Sequence, residues 1–307
     1  MHDIDVKFQP TDLELAPIAE LLADAAGPDG HPALSEHAWL DLVNHRSEGF
    51  AGLAAWEPGR TRLVGYAQLS RDASSAEAAP NWSLEVVVSP SYSPPAATIG
   101  EELVQSALRL VRAQGGGYLS LRVNQPRPYG EQVGASAGLS PGRVLYEMRR
   151  PLPAPAGPTI KTRPFRPGSD EQAWLRVNNR AFHQHPEQGG WTIEALQQRQ
   201  QLPWFSPEGL LLYEQDGELA GFCWTKVHTP RERGLGELYV LAVDPRFHQR
   251  GLGRQLTLAG LSYLTSLGLS EAMLYVDAAN VPAVKLYVDL GFTVKHIDQT
   301  YTGHVAP

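Results

Sequence analysis

Leu238-Tyr-Val-Leu-Ala-Val-Asp-Pro-Arg-Phe-His-Gln-Arg-Gly-Leu-Gly-Arg-Gln-Leu256 decides how this chain folds. Its first six residues are all apolar or aromatic, the pattern of a strand covered on both faces. Pro245 ends that strand, because proline cannot donate to a ladder. A basic, glycine-containing loop then feeds a helix over 252–266, where Leu252, Leu256, Ala259, Leu261 and Leu264 recur near helical spacing. Gly251 and Gly253 let the backbone approach a ligand closely, and the N–H groups opening a helix attract an anion such as a pyrophosphate. His248, Arg250 and Arg254 add positive charge at the same point. The loop lacks the Gly-Lys-Ser/Thr ending of a P-loop, and it is not a Gly-x-Gly-x-x-Gly turn after a parallel strand. A plain strand-to-helix connection with packing glycines is the competing reading.

Working outward, strands are expected over 209–214, 219–228 and 236–243, the first two meeting at an Asp216-Gly217 hairpin turn. A strand over 273–276, a helix over 281–289 and a last strand over 292–297 complete the segment. This is a mixed α/β domain with a central, mainly antiparallel sheet flanked by helices.

At 307 residues the chain is about twice a usual domain. Pro151-Leu-Pro-Ala-Pro-Ala-Gly-Pro158 carries four prolines in eight residues, a semi-rigid spacer. The expected division is therefore 1–150, a linker over 151–158, and 159–307. The halves repeat. Phe8-Gln-Pro10 matches Phe165-Arg-Pro167, and Glu48-Gly-Phe50 matches Glu208-Gly-Leu210. Leu63-Val-Gly-Tyr66 matches Leu219-Ala-Gly-Phe222, and Val86-Val-Val-Ser-Pro90 matches Leu241-Ala-Val-Asp-Pro245. Val123 and Gly138 are fifteen residues apart, as are Val276 and Gly291.

Composition narrows the function classes. Hydrophobic residues at 42% suffice for packed cores. With 26 Lys+Arg against 33 Asp+Glu, the net charge of −7 argues against a nucleic-acid partner. A single cysteine, Cys223, excludes an intrachain disulfide and suits a reducing compartment. No secretory signal opens the sequence and no apolar run approaches the ~20 residues of a membrane span. The expectation is a cytoplasmic monomer with no membrane partner. His183 and His185, without a matching Cys or Asp set, make a poor metal site, so no metal is expected.

The loop His248-Gln-Arg-Gly251-Leu-Gly253 resembles the pyrophosphate loop of the GNAT acetyltransferase superfamily, with His in place of the usual first Arg or Gln. Asn280-Val-Pro-Ala-Val-Lys-Leu-Tyr287-Val-Asp-Leu-Gly-Phe292 resembles its downstream signature. The phrases His185-Pro-Glu-Gln-Gly-Gly-Trp191, Phe222-Cys-Trp-Thr-Lys-Val-His228 and Gly236-Glu-Leu-Tyr-Val240 are similar to the mycothiol synthase family. Those enzymes are tandem GNAT proteins that acetylate the cysteinyl amine of cysteinyl-glucosaminyl-inositol. The resemblance implies two tandem GNAT folds, acetyl-CoA as co-substrate and that thiol precursor as acceptor. Acetyl-CoA would lie along Leu241, Ala242 and Val243, on His248, Gln249, Arg250, Gly251, Leu252, Gly253 and Arg254, and against Asn280, Val281, Pro282, Ala283, Val284 and Lys285. Glu36, Glu187, Lys226, Glu237 and Tyr275 match its acceptor contacts.

The chemistry needs a neutral amine, a polarised carbonyl and a protonated leaving thiolate. An α-amine has a pKa near ~8, so a base helps at neutral pH. Glu237 is the candidate base, acting through a water, and Tyr287 the candidate acid for the CoA sulfur. Without a substrate, Glu237 reads as a strand-edge carboxylate, Tyr287 and Tyr275 as packed tyrosines, and Glu187 and Lys226 as surface charges. Trp191 and Trp224 read as framework rather than sugar platforms. Cys223 has no paired histidine in a recognisable motif, and direct transfer needs no covalent intermediate.

In the first half, Trp82 stands opposite Glu237, Arg127 opposite Asn280 and Gly134 opposite Tyr287. The loop Ser91-Tyr-Ser-Pro-Pro-Ala-Ala-Thr-Ile-Gly100 has no arginine and no close pair of glycines. The first half is therefore expected to keep the fold without catalysing. Val86, Val87 and Val88 match strand contacts to a second acetyl-CoA in the resembled family. Two rivals remain: a GNAT enzyme for an aminoglycoside, amino acid or peptide amine, and a non-catalytic acyl-CoA-binding module.

Overall fold

The computed structural model describes residues 3–7, 12–26, 32–44, 49–71, 80–92, 96–123, 129–154, 160–183, 185, 188–228, 234–247 and 251–307. The chain divides into two compact units, Met1–Val144 with Asp298–Pro307, and Leu145–Ile297.

The first unit holds β1 (Asp3–Lys7), α1 (Asp12–Ala25), α2 (Glu36–Asn44), β2 (Ala51–Trp56), β3 (Leu63–Arg71), β4 (Asn81–Val88), α3 (Ala96–Ala113), β5 (Gly117–Val123) and α4 (Tyr129–Ser136). Strands β1 to β4 run antiparallel to their neighbours and β4 runs parallel to β5. One sheet face packs on α1 and α2 through Ile18, Leu21, Leu42, Tyr66 and Val87. The other packs on α3, whose Ile99, Leu103, Ala107 and Val111 form a stripe of helical period.

The chain passes to the second unit within β6 (Ser140–Pro151). There follow β7 (Arg163–Pro164), α5 (Glu171–Ala181), α6 (Ile193–Gln200), β8 (Leu210–Gln215), β9 (Glu218–Val227), β10 (Leu235–Val243), α7 (Leu252–Ser266), β11 (Glu271–Asp277) and α8 (Val281–Asp289). β7, β8, β9 and β10 pair antiparallel in that order, β10 and β11 are parallel, and β11 pairs antiparallel with Leu145–Pro151 of β6. Leu252, Leu256, Leu261 and Leu264 of α7 are buried on one face of this sheet, and Trp174 and Leu196 of α5 and α6 on the other.

β12 (Thr293–Val305) returns the chain to the first unit, where Thr300–Val305 pair antiparallel with β5. The sequence reading closed this strand at 297 and divided the chain at 151–158. The strand runs eight residues further, and the contacts divide the chain within β6 and β12. The last strand of each repeat thus completes the sheet of the other unit. No local pattern encodes this, because it depends on which edge a strand meets. Among the described residues no helix is long and apolar enough to cross a membrane.

Candidate active site

The β10–β11 ladder joins Leu235, Gly236 and Glu237 to Glu271, Ala272 and Met273, and among the described residues it ends there. Both strands continue, β10 to Val243 and β11 to Asp277, so they part immediately after Glu237. On its other side β10 stays paired with β9, apart from a bulge between Leu238 and Val240. Bulges of this kind re-aim side chains and recur beside active sites. Glu237 therefore stands at the fork of a parting pair of strands.

Glu237 is 5% exposed. Its Oε2 lies 2.9 Å from His228 Nε2, where the backbone turns out of β9. Directly opposed residues on a ladder share a face. Glu237 faces Lys226 across β9, and Met273 leads two residues on to Tyr275. Lys226 Nζ sits 4.9 Å from the Trp204 ring centre and 5.4 Å from that of Tyr239, a cation over two aromatic faces. Arg199 Nε donates to Tyr239 Oη at 3.0 Å, and its guanidinium lies 4.0 Å over Trp191. Tyr275 Oη donates to Glu147 Oε2 at 3.3 Å, and Arg149 Nε donates to the other oxygen at 2.6 Å. Three predicted acceptor residues, Lys226, Glu237 and Tyr275, thus share one face of the second unit's sheet. Trp191 and Trp224 are buried in the core beneath it, as framework residues would be. Glu187 lies outside the described residues. Glu36 opens α2 in the first unit, half-buried, next to Ser35, whose N–H and hydroxyl both donate to Glu85.

The opposite face carries the predicted acid and the anion site. Tyr287 is buried in the core with Cys223, Leu238 and Phe292. Burial, reinforced by the nearby Cys223, holds its phenol well above the ordinary tyrosine value. Burial also pushes the Cys223 thiol up to about 12, which leaves no thiolate at neutral pH to act as a nucleophile. Gly251 caps α7 at φ 69°, left-handed backbone that a side chain resists, and as a glycine it supplies no side-chain cap. A Cβ at Gly251 would meet nothing within 4 Å, so the helix start is open among the described residues. Leu252 is buried and Arg254 exposed. Residues 248–250 lie outside the described residues, and with them His248, Gln249 and Arg250. Gly253 approaches Leu286 of α8, which brings the two helices together at this end. Asn280 caps α8, its Oδ1 accepting from Ala283 N at 3.3 Å, with Val281, Pro282 and Lys285 exposed and Ala283 and Val284 partly buried. Leu241, Ala242 and Val243 lie on β10 beyond the fork, each paired with β9. Asp244, fully buried, ends that strand and accepts from Arg180 at 2.5 Å and Arg246 at 3.1 Å. Among the described residues no three His, Cys, Asp or Glu side chains gather to hold a metal ion.

A family model described as the acetyltransferase (GNAT) family matches residues 173–292. A mycothiol acetyltransferase from Acidimicrobium ferrooxidans is 41% identical, with 97% of this chain and 96% of that protein covered. One of the same name from Acidothermus cellulolyticus is 43% identical, covering 89% and 86%. The chain belongs to the mycothiol acetyltransferase family. Solved structures agree on the fold. A GCN5-related N-acetyltransferase from Sphaerobacter thermophilus superposes at TM-score 0.67 and 23% identity, over 99% and 96% of the two chains. A tandem GNAT protein from the clavulanic acid biosynthesis pathway superposes at 0.69 and 17%, over 99% of each.

In this mycothiol acetyltransferase homologue the first unit shows no fork at the matching position among the described residues. Its β4–β5 ladder runs from Asn81 opposite Tyr118 to Val86 opposite Val123, past the position where β10 and β11 have already parted. Val86, Val87 and Val88 are all buried at 1% or less. Trp82, standing where Glu237 would be, is buried and donates its indole N–H to Gly116 O at 3.0 Å. At Gly134, standing where Tyr287 would be, a Cβ would fall 2.6 Å from the Tyr301 ring. Arg127 lies outside the described residues. Sequence reasoning passed over three residues of the second unit's site: His228, Trp204 and Glu147. His228 closes the Phe222–His228 motif, but only the backbone bond from His228 N–H to Leu235 O carries it to Glu237. Glu147 reaches the site only because β6 completes the second unit's sheet.

Proposed function

We infer that the second unit transfers an acetyl group from acetyl-CoA to the cysteinyl amine of cysteinyl-glucosaminyl-inositol. The observation that carries this reading is the parting of β10 and β11 beside buried Glu237. A fork of this kind admits a narrow thioester arm between two strands, and the open start of α7 suits the diphosphate at the arm's other end. The donor residues fit such a ligand, being backbone N–H groups and glycines rather than a metal-type set.

Glu237 takes the amine proton through a water as the amine nitrogen attacks the thioester carbonyl carbon. Backbone N–H groups of Leu241–Val243 receive the charge that develops on the carbonyl oxygen. Tyr287 donates its proton to the sulfur as the carbon–sulfur bond breaks, and burial keeps that proton in place until then. Lys226, Tyr275 and Glu187 are the proposed acceptor contacts of the second unit, suited to sugar and inositol hydroxyls. The first unit turns over nothing, having lost the base, the acid and the fork together. Glu237→Gln should lower kcat by roughly 10²–10⁴-fold with acetyl-CoA affinity unchanged. A wild-type rate and pH profile would remove Glu237 from the reaction.

A further inference from the structure

We propose that His228 is a positioning residue for the acetyl transfer: its Nε2–H holds Glu237 Oε2 and leaves the other carboxylate oxygen to face the acceptor amine. The inference rests on Glu237 being the base. It stands on geometry that this reading does not use. The His228 Nε2 to Glu237 Oε2 distance is 2.9 Å, and the two side chains are 17% and 7% exposed. A buried carboxylate with one oxygen held by a fixed donor has lost its freedom to rotate, so its remaining oxygen points in one direction.

The backbone fixes His228 in turn. It is the first residue past β9, and its N–H donates to Leu235 O at 3.2 Å, across the strand that carries Glu237 two residues later. The imidazole is therefore set by the closure of the β9–β10 pair, on the side of Glu237 away from Met273. The other polar groups on this face have different tasks: Lys226 lies over Trp204 and Tyr239, and Tyr275 is held by Glu147. Removing the imidazole would leave Glu237 buried but free to turn. Misplacement of a reacting group by about 1 Å costs roughly 10²-fold in rate.

The side chains of glutamine and histidine place a nitrogen at the same distance along the chain, whereas asparagine stops one bond short. The test compares His228→Gln, His228→Asn and His228→Ala in full-length protein, with thermal melting as the folding control. His228→Asn and His228→Ala should lose roughly 10- to 100-fold in kcat while KM for acetyl-CoA stays within about two-fold. His228→Gln should recover most of the rate. Equal losses in the Gln and Asn variants, or no loss in any of the three, would overturn the proposal. Glu237→Gln is measured beside them. If it is inactive while all His228 variants turn over normally, only the positioning role falls. If it is fully active, the base assignment falls and the role of His228 with it.

Discussion

Gly253→Val separates anion binding from folding. A Cβ at residue 253 meets only Leu286 Cδ2 among the described residues, at 3.7 Å, ordinary van der Waals contact. Glycine and valine differ by only a few tenths of a kcal/mol in a helix. Since 1 kcal/mol moves a domain of 150–250 residues by about 2–4 °C, the Tm should stay within about 2 °C of wild type. Helix side chains tilt toward the N-terminus, so the two added methyl groups lie over the first turn of α7, where phosphate oxygens would accept from backbone N–H groups. Each charge-assisted hydrogen bond is worth about 1.5–3 kcal/mol. Losing two costs about 3–6 kcal/mol, roughly 10²–10⁴-fold in Kd. Isothermal titration with acetyl-CoA measures this directly. S-acetyl-pantetheine, which lacks the phosphates, should bind variant and wild type alike. Acetyl-CoA binding within three-fold of wild type would refute the placement of the diphosphate on α7. Gly251→Val is the less informative change, because at φ 69° a side chain adds strain of about 1–2 kcal/mol.

Tyr287→Phe should cut turnover by roughly 10²-fold without changing Tm. Because burial holds its phenol above the ordinary value, the wild-type rate should show no tyrosine-dependent fall below about pH 10, and such a fall near pH 8 would contradict the assignment. Cys223, its thiol pushed up to about 12, should resist iodoacetamide at pH 8 in the native protein and react once unfolded; native labelling, read by mass, would contradict its burial. At Asp244, burial raises the carboxyl, but hydrogen bonds from Arg246 and Arg180 outweigh it and hold the group below the usual range. Its stabilisation is present above about pH 4 and lost as pH falls through the lower folded value. Asp244→Asn should therefore lower Tm at pH 7 and flatten its decline on acidification. An unchanged Tm at pH 7 would show that the carboxylate contributes nothing.

Much of this was legible locally. The glycine turn and the leucine spacing fixed α7 over Leu252–Ser266, and the helix expected over 281–289 is α8, Val281–Asp289, capped by Asn280. Glu237 and Tyr287 are proposed from the chemistry of acetyl transfer and the resembled motifs, and the repeat then serves as a control, with Trp82 and Gly134 in their places. What escaped was non-local. Asp298-Gln-Thr-Tyr-Thr-Gly-His304 is too polar to announce a strand, yet its backbone pairs along β5 from Thr300 onward. Glu147 belongs to the first repeat by sequence and to the second unit by pairing. The fork is the absence of a ladder, which no residue type signals. His228 reads as the tail of a strand until β10 folds back and sets Glu237 against it.

Whether the second unit acetylates a cysteinyl amine is read in one assay. CoA thiol release is followed with acetyl-CoA and cysteinyl-glucosaminyl-inositol, in parallel with aminoglycosides and peptides, and the product mass is measured. Selective gain of a single acetyl group on the cysteinyl nitrogen is expected. Turnover of other amines alone, or acetyl-CoA binding with no turnover of any amine, would contradict it.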